Sequence, residues 1–137
     1  MTQIQDLRIG NLVYDSHREG EIQTIESIKQ TKFFGAFVGF TTIRGNFVEV
    51  DSDRINGIPL TEKILLDSGF ETRGFTFSFE IEKGKYFNVL LGDIENWFAL
   101  HIADIDYYIP CHNTKHVHDL QNAFYMVLEQ QLNIVIK

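Results

Sequence analysis

The chain has 137 residues, 44% of them hydrophobic and 13% aromatic, with a formal net charge of −7. That length suits one domain or two very small ones, and that content of large apolar side chains excludes a disordered or purely solvating chain. The acidic balance works against nucleic-acid binding, which rests on Lys and Arg displacing counterions from phosphates, and here the twelve basic residues are scattered, with Lys83 and Lys85 the only close pair.

Residues 7–50 read as strands. The segments "LRIGNLVY" (7–14), "EIQTIESI" (21–28), "KFFGAFVGF" (32–40) and "NFVEV" (46–50) are short, β-branched or aromatic, and separated by turn material such as "DSHREG" and "TIRG". The alternation within 21–28 is too imperfect to name its buried face. An SH3-like antiparallel β-barrel over residues 1–57 is the expected packing, because closure would remove exposed edges.

The stretch "INGIPLTEKILLDSGF" (55–70) specifies a two-turn helix at both ends. Thr61 is a good N-cap, Leu60 can staple onto Leu65, and Glu62 suits the positive first turn. Gly69 supplies a left-handed C′ position, with Phe70 folding back onto Leu65 in a Schellman stop.

Strands are expected again at 75–81, 86–92, 97–102 and 106–109, with "EKGK" (82–85) as a tight hairpin. Phe75, Phe77, Phe79 and Ile81 alternate with Thr76, Ser78 and Glu80, the pattern of a sheet covered on one face. A helix from about His116 supplies the cover, since Val117, Leu120, Phe124, Val127 and Leu128 fall on one stripe. "LNIVI" (132–136) reads as a final strand. The expected fold class is therefore α+β: a barrel over 1–57, then over 58–137 an antiparallel sheet covered by one long C-terminal helix. Six basic residues oppose eight acidic ones in 1–57 and six oppose eleven in 58–137, so the rear half carries most of the negative charge.

A single cysteine, Cys111, excludes an intrachain disulfide, and "MTQIQDLRIG" lacks the charged-then-apolar pattern of a signal peptide. No apolar run approaches the roughly 18 residues of a membrane span. A cytoplasmic location without membrane contact is expected.

The densest group of reactive side chains is "CHNTKHVHD", with Cys111, His112, His116, His118 and Asp119. Imidazole and thiolate are zinc ligands, but His112 and His116 straddle a loop-to-helix junction and no second Cys or His pair stands nearby in sequence, so no metal site is expected. Cys111 and His112 are adjacent and point apart, a poor arrangement for a Cys–His nucleophile. The pairs Asp51/Asp53, Asp93/Glu95 and Asp104/Asp106 each fall on one solvated face. "DSDRINGIPLTE" places acids like a calcium loop yet has Asn56 where the turn needs glycine. The glycines fit no phosphate-binding loop. No catalytic residue and no cofactor are expected.

Three blocks, "LRIGNLVY" (7–14), "IPLTEKILLDSGF" (58–70) and "HVHDLQNAFYMVLEQQLNI" (116–134), together resemble a widespread family of small uncharacterised bacterial and prophage proteins. The match rests on Leu7 to Asn11, Ile58 to Glu62 with Gly69-Phe70, and Val117 to Asn122. The resemblance implies an accessory or mobile-element setting and attaches no activity. His118 lies within the third motif, whereas Cys111, His112 and His116 lie outside it.

On the helix, His118, Gln121, Asn122 and Tyr125 lie partly off the apolar stripe. Buried amides need their hydrogen bonds, so these residues can form a polar seam that fixes how helix and sheet dock. The alternative is a pocket in which His118, Gln121 and Asn122 read a polar ligand, with Tyr125 beside them. The expected function is a non-enzymatic interaction protein that binds a partner protein through the acidic rear half or an exposed barrel face. The competing expectation is a small-molecule or nucleotide-binding protein that sequesters its ligand. The uneven aromatic faces leave room for a homodimer.

Overall fold

The computed structural model describes residues 4–110 and 114–137, and the chain divides into two units, Met1–Ile58 and Pro59–Lys137. In the first unit, β1 (Leu12–Asp15) is the centre of an antiparallel sheet between β2 (Ile22–Thr24) and β6 (Ile55–Gly57). A second antiparallel sheet has β4 (Gly35–Thr41) between β3 (Ser27–Thr31) and β5 (Phe47–Asp51).

The segment read as one strand over 21–28 serves both sheets. Ile25 donates its N–H to Asn11 in the first (2.9 Å), and Glu26 donates to Gly39 in the second (2.8 Å). The imperfect alternation has this cause: the chain changes sheet, and with it the buried face, between those two residues. Leu7, Val13, Ile25, Val38, Phe40, Val50 and Ile55 form the core between the ladders. Neither ladder closes on itself, so the expected SH3-like barrel is not confirmed. At Gly39 a Cβ would strike the Ser27 hydroxyl and the Phe47 ring, which fixes glycine where the neighbouring strands pack across the backbone.

One charge is buried in this unit. The side chain of Asp15 has no exposed surface and accepts a two-pronged hydrogen bond from Arg54 (3.0 and 2.8 Å), a further one from Arg18, and the His17 N–H at 3.2 Å. Burial pushes its carboxyl pKa up, but the hydrogen bonds from Arg54, His17 and Arg18 outweigh it and hold the group below its usual 3.8. The cluster ties the end of β1 to the 3-10 turn Ser52–Arg54 that leads into β6.

The second unit opens with α1 (Glu62–Asp67), which begins and ends as its residues dictate. Thr61 accepts the Ile64 N–H (3.3 Å), and at the other end Phe70 donates to Leu65 (3.0 Å) and Gly69, at φ +99°, to Leu66 (3.2 Å). Five antiparallel strands follow as a meander: β7 (Glu71–Arg73), β8 (Thr76–Glu82), β9 (Lys85–Leu90), β10 (Trp97–Ile102) and β11 (Ile105–Tyr108). Sequence reasoning missed β6 and β7, each only three residues long. Phe75 does not join the apolar face: it sits with Gly74 in the two-residue turn between β7 and β8 and is exposed.

The helix α2 (Val117–Leu128) covers one face of this meander. Phe124 meets Phe87 (ring centroids 5.2 Å) and Phe79 edge-on (5.6 Å), and Phe87 meets Phe98 at 6.0 Å. Of the expected stripe, Val117, Leu120 and Phe124 are buried, while Val127 and Leu128 are half-buried. The helix stops at Glu129, in the left-handed conformation, and residues 132–136 form no strand. This corrects the reading of "LNIVI": Leu132 is buried as expected of an apolar residue, but the backbone N–H of Val135 finds the Ser68 hydroxyl (2.9 Å) rather than a neighbouring strand. Among the described residues no helix is long and apolar enough to cross a membrane.

Replacing Asp15 with Ala leaves two guanidinium groups without their acceptor. Because both arginines reach solvent in part, the expected loss is about 2–3 kcal/mol, below the upper range for a fully buried pair. Urea unfolding at pH 7 measures it. The advantage of the native chain over the variant should shrink as the pH falls below the usual carboxylate range, because the depressed Asp15 pKa contributes stability only while the group is ionised.

Candidate functional site

Two places in the second unit bring together side chains with chemistry. The first is the start of α2. Leu60 donates its N–H to Lys115 (2.9 Å) beside an antiparallel bridge between Pro59 and His116, which aligns the chain entering the helix. Asn96 donates from its backbone N–H to the Thr114 hydroxyl (3.0 Å) and from its amide to the Thr114 carbonyl (2.7 Å), both bonds buried. His116 is the N-cap, and Asp119, three residues on, accepts the His116 N–H (3.0 Å), one half of a capping box.

The two imidazoles on this turn lie parallel, with centroids 5.2 Å apart and planes 9° from coplanar. His118 has 0% exposure, and among the described residues neither of its ring nitrogens has a hydrogen-bond partner; His116 Nδ1 has none either. The Asp119 carboxylate reaches both, one oxygen 3.4 Å from His118 Nε2 and the other 3.4 Å from His116 Nδ1. Burial pushes the His118 pKa down to about 4 from 6.5, and the neighbouring His116 adds to the shift. His118 is therefore neutral at pH 7, a ring with a free lone pair.

Of the other residues expected at a site here, Gln121 is buried, Asn122 and Tyr125 are half-buried, and each has a partner of its own. Cys111 and His112 lie outside the described residues. The sequence-based argument against a metal looked for ligands at 112 and 116; the structure instead groups His116, His118 and Asp119, whose ligand atoms all lie within 4.8 Å of one another.

The second place is the uncovered face of the sheet. The register sets Ser78, Asn88, Ala99 and Tyr108 in one row across four strands, and Glu80, Tyr86, His101 and Asp106 in the next. Ser78 donates to the Asn88 side-chain oxygen Oδ1 (2.6 Å), His101 Nδ1 pairs with Asp106 (2.7 Å), and the Arg73 guanidinium lies 4.3 Å from the Tyr86 ring centre. Arg73, Ser78, Asn88, His101 and Asp106 line a concavity of about 540 Å³. Trp97, 50% exposed, and Tyr108, 69% exposed, flank a second of about 260 Å³.

Sequence reasoning passed over this face. A signal for it existed: along "WFALHI", Trp97, Ala99 and His101 alternate with Phe98, Leu100 and Ile102, so the apolar set goes under the helix and the other set faces out. Comparison of the chain with protein-family models, with curated proteins and with solved structures finds no match.

The His118 environment has a pH signature. A histidine whose folded pKa lies below its unfolded value binds more protons when unfolded, so stability is complete above pH 6.5 and declines as pH falls toward 4. The loss over that window should be on the order of 3 kcal/mol. Urea midpoints measured in chelator across this range should show it, and His118→Asn should remove that part of the slope.

Proposed function

We propose that the protein is a non-enzymatic accessory protein, in the bacterial or prophage setting that its sequence blocks imply, which binds a partner protein by strand addition at β11. The observation that carries this reading is the contrast between the two edges of the meander. At one edge β7 is three residues long and carries Glu71 and Arg73, the short and charged form that discourages pairing. At the other, all four residues of β11 are exposed, and three of them are Ile105, Tyr107 and Tyr108.

The single charge on β11, Asp106, is engaged by His101 and so does little to guard the edge. Ile109 donates its N–H inward to Phe98 (2.9 Å), and alternation along an antiparallel ladder then turns the N–H and C=O of Asp106 and Tyr108 outward. Among the described residues no strand lies beyond β11. An added strand would place alternate side chains against Trp97 and Tyr108, which supply large, rigid contact area. The occupant is an extended segment with apolar residues at alternate positions and basic residues at its flanks, complementary to the acidic excess of residues 58–137.

The alternative, a small-molecule or nucleotide pocket at His118, Gln121 and Asn122, has weaker support. Pockets for such ligands run to roughly 300 Å³ or more. The burial of His118 and Gln121 suits closed packing rather than a pocket of that size.

A photo-crosslinking phenylalanine analogue placed at Tyr108 tests the proposal in the native host. One adduct with a second protein is expected there and none from Lys83 at the far hairpin. Tyr108→Pro, which removes an outward N–H without touching the inward ladder, should weaken binding of the captured segment about tenfold beyond Tyr108→Phe. No adduct above the Lys83 control would overturn the reading, and an adduct of twice the chain mass would make β11 the interface between two copies instead.

A further inference from the structure

We propose that His116 Nδ1, His118 Nε2 and the Asp119 carboxylate form a binding site for one divalent transition-metal ion, with Zn²⁺ the ion that fits best. The three ligand atoms converge within 4.8 Å before any ion is considered. Each imidazole nitrogen lies 3.4 Å from an Asp119 oxygen. A tetrahedral ion with bonds of about 2.0–2.1 Å sets its ligand atoms about 3.3–3.4 Å apart, and each nitrogen has that distance to one Asp119 oxygen, a different oxygen for each ring, so a small turn of the carboxylate brings one oxygen to both.

The histidine nitrogens are the second and independent observation. A buried polar atom normally has a hydrogen-bond partner, because leaving one unmade costs about 1–3 kcal/mol. Here the fully buried His118 and the Nδ1 of its stacked neighbour His116 have none among the described residues, although Asp119 stands 3.4 Å from each ring. Rings stacked face to face cannot hydrogen-bond to each other, and because each lone pair lies in its ring plane, one ion held by both requires the partly exposed His116 ring to tilt.

Charge argues the same way once the helix is counted. The first turn of α2 carries the positive end of the helix dipole, which opposes a cation, and the Asp119 carboxylate offsets that at contact distance. Asp119 is itself held by the His116 N–H (3.0 Å), so the carboxylate is oriented in advance. Two imidazoles and one carboxylate are a borderline-soft donor set suited to zinc, cobalt or nickel and poorly suited to calcium or magnesium. The partly exposed edge of His116 is the way in, since His118 has no open surface. Three protein ligands leave one position on a tetrahedral ion for water or an anion.

The test uses the full chain without a polyhistidine tag, stripped with EDTA and dialysed. Titration with Zn²⁺ should show one equivalent bound and a raised melting temperature, and Co²⁺ should develop the visible absorption of a tetrahedral ion with nitrogen and oxygen ligands. His116→Ala and Asp119→Asn should each weaken binding by more than the roughly 10–100-fold lost when a residue that merely hydrogen-bonds to a metal ligand is removed. Both lie at the helix start rather than at the centre of the core, so they keep the test valid if His118→Gln fails to fold. Absence of stoichiometric binding to the folded chain would overturn the assignment. So would unchanged affinity in both variants, or a thiolate-to-cobalt absorption band, which would place the ion on Cys111.

Discussion

The second unit depends on one packing event, the seating of Phe124 of α2 between Phe79 and Phe87 of the sheet. Burying a phenylalanine contributes about 2–3 kcal/mol, and edge-to-face geometry adds to it. Once Phe124 is seated, the helix has no rotational freedom left, and the side chains one and two turns earlier go wherever its orientation sends them. Val117 and Leu120 go inward as their chemistry favours. His118, Asp119 and Gln121 go inward as well, because the buried arc is wider than the apolar stripe. Desolvating an imidazole and a carboxylate is unfavourable, and the aromatic contacts are what make it tolerable.

The same event separates the two faces of the sheet. The covered face is aromatic and closed, and the other keeps Asn88, His101 and Asp106 in reach of solvent, with Trp97 and Tyr108 beside them. The turn between β10 and β11 uses Ala103 and Asp104, both at positive φ, although neither is glycine. That two-residue turn suits the right-handed twist of a hairpin, and its strain is tolerated because it fixes the register that pairs His101 with Asp106. The first unit is held differently. Its two short ladders share one strand segment, and a buried carboxylate rather than a helix ties their ends.

How far the sequence was legible varied with the range of the forces involved. The ends of α1 were readable from Thr61, Gly69 and Phe70 because capping is decided within four residues. The hairpin at Lys83-Gly84 and the covering helix followed for the same reason, from local turn chemistry and a periodic stripe. Barrel closure was not readable, since it depends on which edges pair, and no alternation pattern records that a strand changes sheet at Ile25-Glu26. Residues 132–136 have the propensity of a strand, yet propensity expresses fit to a pleated neighbour and Val135 bonds to Ser68 instead. At the candidate sites, His118 stood out in the sequence as a polar residue beside the apolar stripe, but its grouping with His116 and Asp119 arises from stacking and burial. The outward set of Trp97, Ala99 and His101 could have been read from alternation alone.

Burial and ligand chemistry meet on the same atoms at the start of α2. A solvated histidine at neutral pH must give up part of its protonated population before it can bind a metal, so protons and ions compete. His118 has already lost that competition for the proton, because burial disfavours its charged form well below neutrality. An ion arriving there displaces no proton from His118, and it meets a carboxylate that the His116 N–H already orients. The unfavourable desolvation accepted when Phe124 docks is thus part of what prepares the site. A polar residue forced inward by an aromatic neighbour is then a ligand held ready, and the same burial restricts what it can hold to something as small as a single ion.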